Sequence, residues 1–233
     1  MRCEDAQGLN RAVSAATDAR ALEDLVRENE GLMNAINCAN VAGRAAKMCA
    51  RAEVGRSRDD AAGRAARAVL RRVADVAAAS MRETPNEWWP RQCATVVWAC
   101  GRAGARHEEV ERAMEGMVEK RARAFKPQEL SNAFWGLAKV NSDRTGLYAI
   151  LGERIRVSLL VDTGTDHQTG WTPQGVSNVA WSLGSMTPET RRAMFEESAL
   201  GKELVAGVAT ALEARVDMFN PQECANTMSG FAK

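Results

Sequence analysis

One short block recurs along the chain and limits the folds that the chain can adopt. Its clearest copy is Pro127-Gln-Glu-Leu-Ser-Asn-Ala-Phe-Trp-Gly-Leu-Ala-Lys139. The copies share an aligned position that is polar in each, and this position holds Asn40, Thr95, Asn132, Asn178 and Asn226. Their spacings of 55, 37, 46 and 48 residues are typical of helical-hairpin repeats with loop insertions. Because such hairpins bury their apolar faces only against neighbouring repeats, the block predicts an all-α fold of the α-solenoid type.

We predict that each copy forms the first helix of a helix-turn-helix repeat. Proline fits the first helical position, where its missing N–H costs nothing, and Asn220 with Glu223 forms a capping-box pattern before the last copy. The predicted first helices lie near residues 33–48, 90–103, 127–140, 173–186 and 221–233. The longer spacings predict loop insertions near 51–64 and 157–170. We interpret residues 1–233 as a single α-helical repeat domain of about five repeats.

The last copy stops at Lys233 without a second helix. A repeat array needs a polar capping element at its end. We therefore expect the array to be truncated at its C-terminus.

Charge is unevenly distributed although the formal net charge is only +1. Residues 41–139 carry 19 basic and 12 acidic side chains, whereas residues 1–40 and 140–233 each have a net charge of −3. The basic middle block is compatible with a polyanionic partner.

The sequence offers little for catalysis or metal binding. The six cysteines form no CxxC pair, and His107 and His167 are the only histidines, so zinc-finger spacing is absent. Neither a GxxxxGK[ST] phosphate loop nor a GxSxG nucleophile turn occurs. No run of about 18 apolar residues is present to span a membrane. We expect a protein that is not an enzyme, binds no cofactor or metal and has no membrane partner.

The polar face of the repeated helix carries the candidate binding residues. On a helical wheel Leu130, Phe134 and Leu137 face the core, and Asn132, Trp135 and Lys139 face away from it together with Gly136. The same amide or hydroxyl, indole and base recur in other copies. The predicted binding residues are Asn40, Lys47, Thr95, Trp98, Arg102, Asn132, Trp135, Lys139, Asn178, Trp181, Asn226 and Lys233.

Three interpretations of this face stay open. Single-stranded RNA is one, because an amide pairs with a base edge, a lysine holds a phosphate and an aromatic ring stacks on a base. An extended peptide clamped by the amides is the second. The third is structural, with indoles packed between repeats and amides tying helices to loops. Bases in four of the five copies favour RNA.

The copies at 127–139 and 221–233, and the stretch from Leu22 to Lys47, resemble octotricopeptide repeats. These are helical repeats of organellar RNA factors, and FAST-kinase-like and RAP-domain proteins share them. The resemblance implies a single-stranded RNA partner (an organellar transcript or ribosomal RNA) and roles in RNA processing, stability, rRNA maturation or translation. It also implies a mitochondrial or chloroplast location, with other RNA-processing proteins as further partners. The alternative function is a peptide- or protein-binding scaffold without direct RNA contact.

Overall fold

In the computed structural model, which describes residues 2–53, 61–162 and 170–233, every regular element is a helix, so the predicted all-α class is confirmed. The α-helices of these ranges, numbered α1 to α12 in chain order, are Ala6–Ala15, Ala19–Asn29, Ala35–Glu53, Ala61–Glu83, Pro90–Ala103, Glu108–Arg121, Pro127–Lys139, Thr145–Leu160, Pro173–Gly184, Pro188–Phe195, Leu200–Glu213 and Pro221–Phe231. Within the described ranges none of them is both long and apolar enough to cross a membrane.

The repeated proline marks where four of the helices begin. These helices are α5, α7, α9 and α12, and each has proline as its first residue. The predicted capping box of α12 is confirmed: Glu223 N donates to Asn220 Oδ1 at 3.0 Å, and Asn220 N donates to Glu223 Oε2 at 2.9 Å. Thr172 caps α9 by accepting a hydrogen bond from Gly175 N at 3.1 Å. These caps satisfy N–H groups that have no partner inside the helix.

Both predicted loop insertions are wrong at their edges. α3 extends through Glu53, α4 begins at Ala61 and α8 extends through Leu160. Alanine-rich sequence after residue 60 favours helix, and Leu159 continues the buried face of α8 one turn after Ile155. Residues 54–60 and 163–169 of the two insertions lie outside the described residues.

The chain divides into two compact units, Met1–Met114 and Glu115–Lys233. In the first unit α3 packs against α1, α4 and α5, and α2 packs against α1, α3 and α4. α2 contains Leu22, where the stretch that resembles a repeat begins, but α1 precedes that stretch and was not predicted. A weak signal exists, because Asp5-Ala-Gln-Gly8 matches Thr172-Pro-Gln-Gly175 in its capping residue and Gln-Gly pair.

In the second unit α9 packs between α7 and α12, while α8 packs against α7 and α11. The backbones of α9 and α12 approach closely at Gly184 and Gly230. A Cβ atom added to Gly230 would lie 2.7 Å from the backbone nitrogen of Trp181. Small residues at this interface therefore set how near α12 comes to the helix that carries Trp181.

Two tryptophans are buried in the segments that lead into repeated helices. Trp88 and Trp171 lie two residues before the first prolines of α5 and α9 and are 0% and 3% exposed. Trp88 Nε1 donates to Ser80 Oγ at 3.0 Å, and Trp171 Nε1 donates to Ser158 Oγ at 3.1 Å. A buried indole with its N–H satisfied contributes a large apolar area without leaving a polar group unpaired.

The cysteines are all free thiols, but they differ in exposure. Cys38, Cys49, Cys93 and Cys100 are buried. Cys224, at an apolar position of the repeat, is exposed instead of buried. Burial raises the pKa of the Cys38 and Cys100 thiols from 9.0 to about 12.

We expect Cys224 to react first with a disulfide reagent such as DTNB in the native protein, and Cys38 and Cys100 to react only after unfolding. A pKa raised from 9.0 to about 12 lowers the thiolate fraction at neutral pH by roughly a thousandfold. The fastest phase should vanish in a Cys224→Ala variant, which leaves the half-buried Cys3 as the most accessible thiol. Native-state labelling of Cys100 as fast as Cys224, read by peptide mass spectrometry, would contradict this assignment.

The sign of the accompanying pH effect follows from the same shifts. The pKa of each buried thiol is higher in the folded state than in the unfolded state. Its contribution to the free energy of unfolding is therefore complete below pH 9.0 and is lost as the pH rises toward about 12.

Candidate binding face on the repeated helices

The predicted binding residues of the second unit lie on three helices that pack in the order α7, α9, α12. Asn132, Trp135 and Lys139 are on α7, Asn178 and Trp181 are on α9, and Asn226 is on α12. The core face predicted for α7 is confirmed, because Leu130, Ala133, Phe134 and Leu137 are fully buried and Ala138 is 2% exposed. Gly136, expected on the outer face, is buried. The outer face is therefore narrower than the wheel predicted.

Trp135, Trp181 and Lys139 form one cluster. The ring centroids of the two indoles are 6.3 Å apart, and the ring planes are tilted by 44°. The Nζ atom of Lys139 lies 5.0 Å from the Trp181 ring centroid and 5.7 Å from that of Trp135. Both distances are within the range of cation–π interactions. The repeat thus brings together equivalent indoles of neighbouring helices, with one ammonium over both.

A polar cleft of about 380 Å³ opens beside the N-terminal halves of α7 and α9. Asn132 and Asn178, five residues after the first proline of their helices, both line it. Neither side-chain amide has a hydrogen-bond partner within the described part of the chain. Each amide carries two donors and one acceptor oxygen, so the cleft offers two unengaged bidentate groups.

The charge of the cleft is mixed. Lys126 lines it, and so do the carboxylates of Glu129 and Glu223. These carboxylates are already engaged, since Glu129 Oε2 accepts from Lys126 N and Glu223 Oε2 accepts from Asn220 N, both at 2.9 Å. Each carboxylate therefore caps the N-terminus of its own helix and also faces the cleft.

Sequence reasoning missed part of the cleft lining. Gln128 and Gln174 line the cleft directly after the first prolines of α7 and α9. The signal was available, because Pro-Gln recurs at 127–128, 173–174 and 221–222. This dipeptide therefore marks a helix start and, in α7 and α9, also supplies a side chain to the cleft.

Asn226 and Lys233, both predicted to bind, do not lie on one helix. Asn226 is on α12, and this helix ends at Phe231, two residues before Lys233. The Lys233 carbonyl accepts a hydrogen bond from Arg191 Nη1 at 3.1 Å. Asn226 Oδ1 accepts from Gln222 Nε2 at 3.0 Å, so this amide is partly engaged within its own helix.

In the first unit the predicted residues lie on α3 and α5, which pack against each other. Two of the polar groups have structural partners: Asn40 Nδ2 donates to Asn10 Oδ1 at 2.8 Å, and Thr95 Oγ1 donates to Arg91 O at 2.7 Å. Lys47 and Arg102 are exposed, and Trp98 is half-buried. Asn40 joins α3 to the helix α1, whereas the structural interpretation expected amides to tie helices to loops.

Asp162, Asp166 and His167 are close in the sequence and are of residue types that can ligate a metal ion. Asp166 and His167 lie outside the described residues. Among the residues that the structure describes, no group of three or more histidine, cysteine or acidic side chains is arranged to hold a metal ion.

Comparison with known proteins adds no family assignment. No protein-family model matches the chain, and no curated protein sequence matches it.

Proposed function

We propose that the chain binds a single strand of RNA along the outer face of its repeated helices, as an α-solenoid of the octotricopeptide kind in organellar RNA metabolism. The observation that supports this most is the arrangement on α7 and α9. There, two amides that have no hydrogen-bond partner among the described residues, a pair of indoles and a lysine ammonium lie on two neighbouring helices.

The chemistry of these groups suits a nucleic-acid strand. The amides of Asn132 and Asn178 can each make two hydrogen bonds to a base edge. The indoles of Trp135 and Trp181 offer π-faces, and stacking of one base is worth about 1–3 kcal/mol. The ammonium of Lys139 can neutralise a phosphate. Bases are thus contacted on their edges and faces by uncharged groups, and the strand is held by a charged one.

A peptide is the second candidate, and one observation favours it. Glu129 and Glu223 face the same cleft as Asn132 and Asn178. Carboxylates repel phosphates but accept hydrogen bonds from a peptide backbone or a basic side chain. For RNA, the phosphates would therefore run on the Lys139 side and leave the carboxylates to face base or ribose groups.

We expect fluorescence-anisotropy titrations to show salt-sensitive binding of a pool of short single-stranded RNAs. Each neutralised phosphate contributes about −0.7 to the slope of log affinity against log salt. The Lys47/Arg102/Lys139→Ala variant should therefore lose up to about 2 from that slope. The Asn132→Ala/Asn178→Ala variant should bind at least about tenfold more weakly with little change in slope.

A matched control separates this face from general charge loss. Lys202 is an exposed residue of α11 outside the predicted face. Lys202→Ala should leave both affinity and slope near those of the parent chain. Absence of RNA binding at low salt would overturn the proposal, and binding of extended peptides that Asn132→Ala/Asn178→Ala abolishes would establish the peptide alternative.

A further inference from the structure

The Lys139 ammonium lies over the rings of both Trp135 and Trp181. It lies 5.0 Å from one indole centroid and 5.7 Å from the other, while the centroids themselves are 6.3 Å apart. A single cation therefore lies over both rings. The faces that it covers are not packed against the apolar core, because Lys139 itself is exposed and both indoles are only half-buried.

The sequence explains why one lysine contacts both indoles. α7 supplies Lys139 four residues after Trp135, so both side chains emerge on the same side of the helix one turn apart. α9 supplies Trp181 but has Ser185 at the position equivalent to Lys139. No second ammonium from that position of α9 competes for the pair.

The geometry points to a nucleobase-stacking site at Trp135 and Trp181 whose occupant in the free protein is the Lys139 ammonium. A planar base binds there after Lys139 leaves the indoles, and a strand phosphate is the partner that the displaced ammonium then meets. Base stacking and phosphate binding at this helix pair are one coupled step. This inference rests on the proposed RNA-binding function and adds an order of events to it.

The coupling has an energetic reason. An exposed cation–π contact stabilises the free protein by a modest amount, so leaving it opposes binding of any ligand that offers a π-face alone. A ligand that brings both a base and a phosphate replaces the indole–ammonium contact with a stacked base and a charge-assisted contact. The site therefore favours a nucleotide strand over an isolated nucleoside.

The test uses opposite effects of one substitution on two ligands. Lys139→Gln removes the ammonium from an exposed position. We expect adenosine, followed by quenching of indole fluorescence, to bind about two- to fivefold tighter to this variant than to the parent chain, the size expected from loss of one exposed cation–π contact. Oligoadenylate RNA, followed by anisotropy, should bind more weakly at low salt, with a slope reduced by about 0.7.

Three variants keep the result specific. Lys139→Arg retains a cation that stacks on indole, so adenosine should bind it no tighter than the parent chain. Trp135→Leu combined with Lys139→Gln should lose the gain for adenosine. Lys202→Gln removes an equal charge from α11 and should change neither ligand's binding.

The outcomes separate this inference from the proposed function. If the parent chain binds RNA but Lys139→Gln gains nothing for adenosine, RNA binding stands and the occupied stacking site is overturned. If no variant binds RNA, the proposed function fails. Tighter adenosine binding by Lys139→Gln, lost with Trp135→Leu, would still support the stacking site in that case.

Discussion

Replacing Arg215 with alanine should lower the free energy of unfolding by about 3–5 kcal/mol, the cost of breaking a buried ion pair by removing one partner. The side chains of Arg215 and Asp162 are 3% and 7% exposed, and Arg215 Nη2 donates to Asp162 Oδ2. The guanidinium also donates to the carbonyls of Trp171 at 2.9 Å and Ala211 at 3.0 Å. The alanine variant loses all of these bonds, including the charge-assisted bond to the buried Asp162 carboxylate.

The position of Arg215 in the fold explains why loss of its side chain should destabilise several helices. It follows α11, Asp162 follows α8, and Trp171 leads into α9. One side chain therefore joins three helix ends on either side of residues 163–169. Urea unfolding followed by far-ultraviolet circular dichroism would measure the change.

Two comparisons test the buried-pair explanation. Arg215→Lys keeps the charge but not the planar fork of donors, so it should recover only part of the stability. Arg72 and Glu30 form an exposed pair with both side chains 45% exposed, and Arg72→Ala should cost less than about 1 kcal/mol. A loss of less than about 1 kcal/mol in Arg215→Ala would show that the buried pair is not a major stabilising contact.

The ion pair of Arg215 and Asp162 could not be predicted from local sequence patterns. The spacing of the repeat predicts helix starts because proline and the capping residues act within three or four positions. Arg215 and Asp162 are 53 residues apart, and no local pattern links them. The bond of Asn40 to Asn10 was missed for a related reason, because α1 was not recognised as a helix that packs against α3.

The candidate site was predictable to the extent that it follows repeat geometry. Trp135 and Trp181 meet because equivalent positions of helices packed side by side lie on the same face. The placement of Lys139 over both rings depends on a side-chain rotamer and on Ser185 in the next copy. The cleft depends on the relative offset of α7 and α9. Neither the rotamer nor the offset is encoded in a single repeat.

Phe134→Ala should be the most destabilising substitution on the repeated helices themselves, at about 3–5 kcal/mol. Phe134 is fully buried. Its ring meets that of Tyr148 on α8 edge-on, with centroids 5.2 Å apart and an interplanar angle of 78°. The alanine variant loses the apolar area and the ring pair and leaves a cavity between α7 and α8.

The matched comparison is Met228, which lies seven residues after the first proline of α12, as Phe134 does in α7. Judged by repeat position alone, both belong to the core. Met228 is 70% exposed, and Phe231 and Met218 are 40% and 48% exposed. Met228→Ala in this chain should therefore change the free energy of unfolding by no more than about 0.5 kcal/mol.

The pair of variants asks what makes a repeat position part of the core. If Phe134→Ala costs several kcal/mol and Met228→Ala almost nothing, packing of the following helix determines how much this repeat position contributes to stability. In α7, the following helix is α8, which packs against this face. Equal losses would instead mean that the apolar face of α12 is covered in solution, for example by a second copy of the chain. In that case the mass measured by sedimentation should differ between the parent chain and Met228→Ala. Such a difference would show that copies of the chain associate through this face.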